Sequence, residues 1–325
     1  MNAPDDLQAF HAGERQLQAR VGVQERMTAL GNQVIRMAMP EQHRAFFAQL
    51  PFVIAGSVDA EGQPWASILT NPPGFIGSPD AHHLLIHTRP LLGDPLHETL
   101  AAGASIALLG IEQQTRRRNR MNGVVERIND AGVLVGVQQS FGNCPKYIQA
   151  RQVKYVERGG SGVIEAGTVD SASTLNERTR KLIARADTFF IATAHPDASQ
   201  GTTRSNGVDV SHRGGKPGFV HADNDTTLTI PDFAGNRFFN TLGNILLNPR
   251  AGLLFIDFEN GDLIYLAADA EIVFEGPELD AFAGAERLLR LTIRHVRHVT
   301  ATLPLRWGGE VQMSPSLAST GVTLP

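Results

Sequence analysis

The sequence predicts a mainly β protein with flanking helices, built as two tandem β-barrels. Two observations support this prediction. Short apolar or β-branched runs alternate with turn residues, and 32 glycines punctuate a chain that is 42% hydrophobic, as is typical of β-rich folds. The same string of strands then occurs a second time within 325 residues, a length that accommodates two domains.

Two pairs of similar segments indicate the repeat. PFVIAGSVD at 51–59 resembles FFIATAHPD at 189–197, an offset of 138 residues. ASIALLGIE at 104–112 resembles AGLLFIDFE at 251–259, an offset of 147 residues. Either match alone is weak, but two in the same order, each ending on an acidic residue, indicate an internal duplication.

The pattern divides the chain into five segments. Three features predict the main elements. Apolar residues before residue 50 have helical spacing, residues 59–62 have the pattern of a hairpin turn, and charges four residues apart indicate a helix at 175–186. Spacing also predicts a helix at 278–299, and Pro145 predicts one at 145–151. The segments are N-terminal helices at 1–50, a first barrel at 51–138, a helical connector at 139–186 with a flexible Gly159–Gly162 link, a second barrel at 187–275, and a C-terminal helix and tail at 276–325.

Composition excludes several classes of protein. With 29 Lys+Arg against 33 Asp+Glu, the net charge of −4 argues against nucleic-acid binding through bulk positive charge. A single cysteine, Cys144, rules out an intrachain disulfide or a cysteine-based metal cluster. His82, His83 and His87 lack further ligands at suitable spacing, so no metal site is expected. Without a signal sequence or a long apolar run, the chain is expected to be cytoplasmic and not membrane-bound.

The stretch from 207 to 272 carries the clearest chemistry. Ser211 and Arg213 lie on a predicted strand, a second strand ends at Pro231, and Asn236 and Arg237 are expected to open a helix. The first N–H groups of a helix have no intrahelical partner and carry partial positive charge. A hydroxyl, an amide, two guanidinium groups and free N–H groups in one place predict a site for a phosphate monoester.

The segments DVSHRGG, IPDFAGNR and NPRAGLLF resemble the FMN-binding split-barrel proteins related to pyridoxamine 5′-phosphate oxidase. The resemblance covers about 187–274 and, more weakly, 52–128. It implies a split-barrel fold and an FMN cofactor at an interface between two barrels, both of which this repeat can supply. By position, it implies phosphate contacts on the strand from Val210 and at the helix start, and flavin ring or ribityl contacts on the second strand. These residues are Val210, Ser211, Arg213, Asn236 and Arg237 for the phosphate, and Thr229, Ile230 and Pro231 for the ring or ribityl chain.

The chain departs from the oxidase pattern at two places. The strand at 209–213 lacks the usual Arg and Lys flanking an aliphatic run, and the arginine-bearing C-terminal signature of the oxidase is not evident at 303–325. The resemblance therefore implies the fold and the cofactor class, but not activity on a B6 vitamer.

Each candidate residue also has a simpler interpretation. Arg213 and Arg237 are alternatively surface residues paired with Asp209 and Asp232. A row of donors on one strand face is predicted to line the cleft, or alternatively to protect an exposed edge strand. Cys144 is either a reactive thiol at a helix start or an apolar filler. The predicted cleft-lining residues are Arg116, Arg118, Arg120, Asn122, Asn143 and Lys146.

The sequence thus predicts an FMN-binding, oxidoreductase-like flavoprotein. Its partners would be a small-molecule substrate and an electron donor or acceptor, and a homodimer is compatible with the pattern. The alternative is a non-catalytic flavin or haem carrier on the same fold. In a third interpretation only one site binds, because the segment at 65–69 lacks a Ser/Arg pair like Ser211 and Arg213.

Overall fold

The structure is a computed structural model that describes residues 8–157, 167–200 and 203–322. The predicted Gly159–Gly162 link lies outside the described residues. None of the helices in the described ranges has the length and apolar character needed to cross a bilayer. The helices are α1 Ala12–Arg20, α2 Gln24–Val34, α3 Glu41–Ala48, α4 Leu96–Thr99, α5 Glu177–Arg185 and α6 Asn240–Leu247.

Strands are more extensive than helices in the described chain, and most of them belong to two large antiparallel sheets. In chain order the strands are β1 Phe52–Val58, β2 Pro64–Thr70, β3 Ile76–Asp80, β4 His83–Ile86, β5 Ser105–Glu112, β6 Arg117–Asn129, β7 Gly132–Gly142, β8 Ala150–Tyr155, β9 Val169–Ala172, β10 Thr188–Ala194, β11 Val208–Gly214, β12 His221–Ala222, β13 Thr227–Phe233, β14 Arg250–Ile256, β15 Leu263–Val273, β16 Phe282–Ala283, β17 Ala285–Val299, β18 Leu305–Gln312 and β19 Gly321–Val322.

The two sheets have the same topology. The first follows the order β2-β1-β5-β6-β7-β4-β3, and the second follows β11-β10-β14-β15-β17-β13-β12. Each strand of one sheet therefore has a counterpart in the other, and α4 and α6 occupy the same place in the chain order. This identity of order confirms two tandem barrels of the split-barrel type. Two small pairs, β8 with β18 and β16 with β19, lie outside the sheets, and β9 pairs with β17.

The predicted C-terminal helix at 278–299 is wrong, because most of that segment is the long strand β17. Leu289, Leu291 and Ile293 are buried at alternate positions, as a half-buried strand requires. A bulge in the pairing with β15 then inserts one residue, so the next buried apolar side chain is Val296. Alternation interrupted by a bulge produces spacings of three and four, which imitate a helix. The second sheet consequently extends beyond the predicted boundary at 275.

Two further helix predictions are wrong in detail. Residues 146–147 form a turn, 145 and 148–149 have no regular structure, and β8 begins at Ala150, so Pro145 does not start a helix. Asn236 and Arg237 do not open α6, which begins at Asn240. The boundary predicted at 138 falls inside β7.

The repeat is real, but its alignment is shifted by two residues from the one the sequence suggests. The sequence match aligns Ile54 with Ala192. In the structure Ile54 pairs with Leu109, and Phe190 pairs with Leu254, which makes Ile54 the counterpart of Phe190. Bulges that follow Asn122 in β6 and Ala267 in β15 support the same alignment. When the alignment of the two repeats shifts by two residues, each side chain still points to the same face of its sheet. The pattern of apolar residues alone therefore does not detect the shift.

The apolar residues form three main cores, one inside each barrel and one between them. Val53 and Ala55 of β1 point into the first barrel, and Phe189 and Ile191 of β10 point into the second. The opposite faces of the same strands meet in a shared core that contains Ile54, Phe190, Trp65, Tyr265 and Val210, among others. The barrels are thus packed sheet against sheet, with their relative position fixed by apolar burial.

Backbone atoms of the two barrels approach closely at one glycine. A Cβ atom on Gly252 of β14 would lie 2.1 Å from the carbonyl oxygen of Pro64 in β2. The contact is between main chains, so a side-chain rotation cannot relieve it.

Gly252→Ala is expected to destabilise the chain by separating the barrels, at a cost of about 1–3 kcal/mol for overpacking. Urea unfolding measures this change in the free energy of unfolding. Gly77→Ala is the matched control, because a Cβ on Gly77 meets nothing within 4 Å. Equal stability of the two variants would contradict the close packing described.

Candidate functional site

A cleft between the barrels carries the strongest concentration of positive charge in a described pocket. One wall comes from β6 and the residues that follow β7, and the other comes from β11, β13, β17 and the start of α6. Six cationic side chains line it, whereas Asp232 is the one acidic residue among the described lining residues. The cationic residues are Arg118, Arg120, Lys146, Arg213, Arg237 and Arg287.

The row of donors predicted on β6 reaches this cleft only in part. Arg118 and Arg120 lie on the face of β6 that is turned toward the second barrel, and both contact residues of β11. Asn122 continues that face but lines a smaller cavity and donates to Gln139. Arg116 precedes the strand with a φ of 56°, and it donates to the Ile148 and Gln312 carbonyls outside the cleft. The alternative of a solvated edge strand does not hold, since β6 lies between β5 and β7.

Arg120 is the centre of a buried polar network that joins the two barrels. Its guanidinium donates to the Asp209 carboxylate and the Ser211 hydroxyl of β11, and to the Asn240 side-chain oxygen 3.1 Å away. Ser211 Oγ lies 2.8 Å from Thr241 Oγ1 at the start of α6. Arg120 and Asp209 are each less than 10% exposed, so the pair is desolvated and held by several bonds.

Arg118 differs from Arg120 because no carboxylate of the described residues pairs with it. Its Nε donates to the Cys144 carbonyl at 2.8 Å, and Nη1 lies 3.3 Å from His212 Nδ1. Burial, together with the positive charges of Arg120 and Arg213, lowers the pKa of Arg118 to about 9. Burial and the adjacent Arg118 also hold the pKa of His212 well below its usual value, so this imidazole is neutral. An anion beside Arg118 would relieve the repulsion among these guanidinium groups.

The other arginines of the cleft are compensated by acidic residues. Arg213 pairs with Asp232, a partner that the simpler interpretation of the sequence had included. Arg287 lies 2.9 Å from the second oxygen of the same carboxylate. Arg237 forms a two-pronged pair with Glu286 at 2.5 Å. Asp209, expected as a surface partner of these arginines, is instead buried against Arg120. Arg213 and Arg237 line the cleft, but their positive charge is already offset.

The start of α6 faces the same cleft. Phe239 precedes the helix in the left-handed conformation, with a φ of 62°, and Phe239, Asn240, Thr241 and Leu242 all line the cleft. The first N–H groups of the helix have no intrahelical partner and therefore attract an anion. Asn236 lies in the preceding loop, where its side-chain oxygen accepts a bond from Phe238 N. Of the five non-glycine residues with positive φ in the described ranges, three line this cleft: Tyr147, Arg237 and Phe239.

The segment after β7 closes the cleft from the first barrel's side. Asn143, Cys144, Lys146 and Tyr147 line it, so the predicted position of Asn143 and Lys146 agrees with the structure. Tyr147 donates to the Ala234 carbonyl and packs against Phe233, with ring centroids 5.4 Å apart. Cys144 is partly exposed and its thiol is free.

Three residues expected to contact the flavin ring or phosphate lie away from the cleft. Val210 is buried in the core between the barrels, and Ile230 is buried inside the second barrel. Thr229 of β13 donates its hydroxyl to the carboxylate of Asp223, which lies in the turn between β12 and β13. Pro231, Ser211, Arg213, Asn236 and Arg237 do line the cleft. The sequence did not identify Thr241, Tyr147 and Arg287 as residues of the cleft. Arg287 was missed because the spacing of apolar residues in its strand predicts a helix.

The corresponding position in the other half of the molecule is closed. The strand registers make Tyr265 the counterpart of Arg120 and Leu263 the counterpart of Arg118, and both belong to the core between the barrels. On β2 the counterparts of Asp209, His212 and Arg213 are Trp65, Ile68 and Leu69. Apolar side chains therefore fill the space that charged residues line in the cleft.

A buried carboxylate occupies the remaining space of the closed position. Asp94 is fully buried and accepts bonds from Leu96 N at the start of α4, from Tyr265 Oη at 2.9 Å and from Ile68 N. These donors are the counterparts of the α6 start, of Arg120 and of His212. A buried carboxyl group thus lies in one half at the position that borders an open cleft in the other half.

Arg120→Met is expected to destabilise the chain by about 3–5 kcal/mol, because it leaves the Asp209 carboxylate buried without its charged partner. Urea unfolding of the purified variant measures the loss. Arg118→Met is the control, since no carboxylate depends on Arg118, and the double variant Arg120→Met/Asp209→Leu should recover most of the stability. A single Arg120→Met variant as stable as Arg118→Met would contradict the proposed dependence.

Comparisons with known proteins agree with the architecture. The family model described as pyridoxamine 5′-phosphate oxidase matches residues 39–159 and again 175–300. No curated protein sequence matches the chain.

Several solved structures are similar to one part of the chain. A putative pyridoxamine 5′-phosphate oxidase from Lactobacillus delbrueckii is 16% identical and covers 38% of this chain and 94% of its own, with a TM-score of 0.31. HupZ from Group A Streptococcus is 13% identical over 40% of this chain and 97% of its own, with a TM-score of 0.31. A FAD-binding protein from Mesorhizobium loti is 11% identical over 41% of this chain and 98% of its own, with a TM-score of 0.25.

The two family-model matches together span more than half of the sequence, and each coincides with one of the two sheets. The duplication seen in the strand order and the duplicated match are therefore the same feature. The chain belongs to the pyridoxamine 5′-phosphate oxidase family, as a member with two copies of the fold in one polypeptide.

Proposed function

We propose that this chain binds FMN in the cleft between its barrels and uses it as the redox cofactor of an oxidoreductase acting on a small molecule. The observation that carries the proposal is the pairing of an open, cationic cleft with a closed counterpart in which donors hold the buried carboxyl group of Asp94. In the other half the equivalent position borders an open cleft, where the first turn of α6 and Arg118 face an external ligand.

The residues at the α6 end of the cleft fit the phosphate of FMN. A phosphate dianion needs several donors and compensating positive charge, and this end offers the first N–H groups of α6 and the Thr241 hydroxyl, next to Arg120, whose guanidinium is already bonded to Asp209. Ser211 belongs to the same network. Arg118 adds the one cleft arginine that has no carboxylate partner in the described structure.

The implied phosphate ligands are thereby revised. Arg213 and Arg237, assigned to the phosphate by family resemblance, are engaged by Asp232 and Glu286. We assign them instead to the wall that positions the rest of the ligand, and we place the phosphate at the start of α6 and near Arg118, because Arg120 is likewise engaged by Asp209. When bound, FMN would supply the redox chemistry at its isoalloxazine ring, while the protein binds and orients it. Pro231, Phe233 and Tyr147 give that part of the cleft an apolar surface.

The arrangement also favours one flavin per chain. Both walls of the cleft come from the same polypeptide, so a second chain is not required to complete it. The counterpart position is filled by Tyr265, Trp65 and Asp94.

Titration of the purified protein with FMN, followed by flavin fluorescence or absorbance, tests the binding. Arg118→Met is expected to weaken FMN binding by about tenfold or more through loss of a charge-assisted bond, with little effect on riboflavin, which lacks the phosphate. Arg127→Met on the exposed end of the same strand is the control. FMN and riboflavin binding with equal affinity to the wild-type protein would overturn the assignment of the phosphate.

The stoichiometry is expected to be one FMN per chain, measured from the flavin released by heat denaturation. Two per chain would show that the counterpart position also opens. The visible spectrum separates the alternative of a haem protein, which would show an intense Soret band in place of flavin absorbance.

Anaerobic reduction distinguishes an enzyme from a carrier. An oxidoreductase should reduce its bound flavin with a physiological donor such as NAD(P)H and return the electrons to an acceptor over many cycles. Bound flavin that neither donor nor acceptor changes on the timescale of seconds to minutes would favour the non-catalytic carrier.

A further inference from the structure

Arg118 is held in the cleft by acceptors that carry no charge. Its Nε donates to the Cys144 carbonyl at 2.8 Å, and its Nη1 lies 3.3 Å from His212 Nδ1 and 3.4 Å from the His212 carbonyl oxygen. Its Nη2 has no hydrogen-bond partner among the described residues, and Arg118 lines the cleft, so this nitrogen remains available to a ligand. The contacts therefore fix the fork of the guanidinium group and leave its positive charge uncompensated.

The ring of His212 has a fixed orientation. His212 lies on β11, is 5% exposed, and packs edge-on against Phe190 with ring centroids 5.8 Å apart. A guanidinium group has no acceptor, so in the contact with Arg118 the Nδ1 of His212 accepts and the ring hydrogen is on Nε2. Nε2 is buried without a partner in the described part of the chain, which lowers stability. The contact that His212 makes in return is the one with Arg118.

We propose that His212 is a positioning residue for Arg118, and that it acts as a neutral hydrogen-bond acceptor. In this role it directs the guanidinium group toward the phosphate of FMN without pairing with its charge, and so it contributes to the preference for a phosphorylated flavin. The proposal rests on the proposed function, because the anion it concerns is the phosphate of FMN.

A neighbouring arginine of the cleft shows the alternative arrangement. Arg213 is paired with Asp232, an acceptor that fixes the guanidinium group and also offsets its charge. A carboxylate in place of the imidazole of His212 would do the same to Arg118, since an ion pair within the protein competes with an external anion. The imidazole therefore orients the guanidinium group of Arg118 without neutralising it.

The surroundings of His212 favour the same state of the ring as its contact with Arg118. Burial and the positive charges of Arg118, Arg151 and Arg213 hold the pKa of His212 well below its usual value. A protonated ring would be a donor at both nitrogens, and it would add a positive charge next to Arg118. The hydrogen-bond geometry and the neighbouring charges are therefore consistent with one neutral form, which carries its hydrogen on Nε2.

The first test compares two replacements of His212 that have the same size and differ in charge. His212→Asn places a neutral side-chain oxygen where Nδ1 lies, whereas His212→Asp places a carboxylate there. The ratio of FMN affinity to riboflavin affinity, measured by fluorescence titration at pH 7, should stay close to the wild-type value in His212→Asn. In His212→Asp the ratio should fall by about tenfold or more, because Arg118 then pairs with the new carboxylate and not with the phosphate.

Asn129→Asp is the control for the change in net charge, because Asn129 lies at the exposed end of β6, the strand that carries Arg118. Its affinity ratio should equal that of the wild type. A purely structural His212 would lower the free energy of unfolding in both His212 variants and give them the same affinity ratio. Equal ratios in His212→Asn and His212→Asp would therefore overturn the role of His212 while leaving FMN binding intact.

The second test needs no variant and so remains valid if His212→Asp folds poorly. Nitrogen NMR of the wild-type protein at pH 7, with the ring signals assigned through the backbone resonances, should show His212 neutral with its hydrogen on Nε2, both before and after FMN is added. A hydrogen on Nδ1, or a charged ring, would overturn the proposal. Failure of the wild-type protein to bind FMN, or equal affinities for FMN and riboflavin, would instead reject the proposed function, and this inference with it.

Discussion

The contact between Arg120 and β11 is the interaction on which the site depends. Arg120 belongs to the first barrel, whereas Asp209, Ser211 and Thr241 belong to the second, so this network exists only when the barrels are packed together. Apolar burial between the sheets provides the association, but it has no preferred polar geometry of its own. The forked guanidinium fixes that geometry, because its bonds to Asp209 and Ser211 hold β6 against β11 and the start of α6.

The two halves of the molecule show how one architecture supports opposite outcomes at equivalent positions. Tyr265, in the place of Arg120, adds an aromatic side chain to the core between the barrels and donates its hydroxyl to Asp94. The closed half thus satisfies its donors internally and contributes apolar burial. In the open half, Arg118 has no carboxylate partner within the described ranges, and the positive charges of Arg120 and Arg213 lower its pKa. Functional sites commonly sacrifice local stability in this way.

Much of the fold was predictable from the sequence, because strand periodicity, glycine turns and the repeat are local signals. The order of the two barrels, the hairpin at 59–62 and the row formed by Arg118 and Arg120 follow from such signals. Other features of the fold depend on tertiary contacts that the sequence does not show. The bulge in β17 makes a strand imitate a helix, and a two-residue shift in the repeat is invisible to a pattern of period two. The pairing of each arginine with its carboxylate depends on distances across the interface between the barrels. Sequence spacing does not predict these distances.

The carboxylates around the cleft have a role that their charge alone does not suggest. Asp232 and Glu286 hold Arg213, Arg287 and Arg237 in fixed orientations, so these long side chains do not have to be ordered when a ligand arrives. Their pairing also reduces the electrostatic repulsion among the guanidinium groups of the cleft. What remains uncompensated is concentrated at Arg118, at the exposed Lys146 and at the first turn of α6. In the proposed function the cleft therefore separates two tasks: the arginines paired with carboxylates shape the wall, and the remaining donors contact the anion.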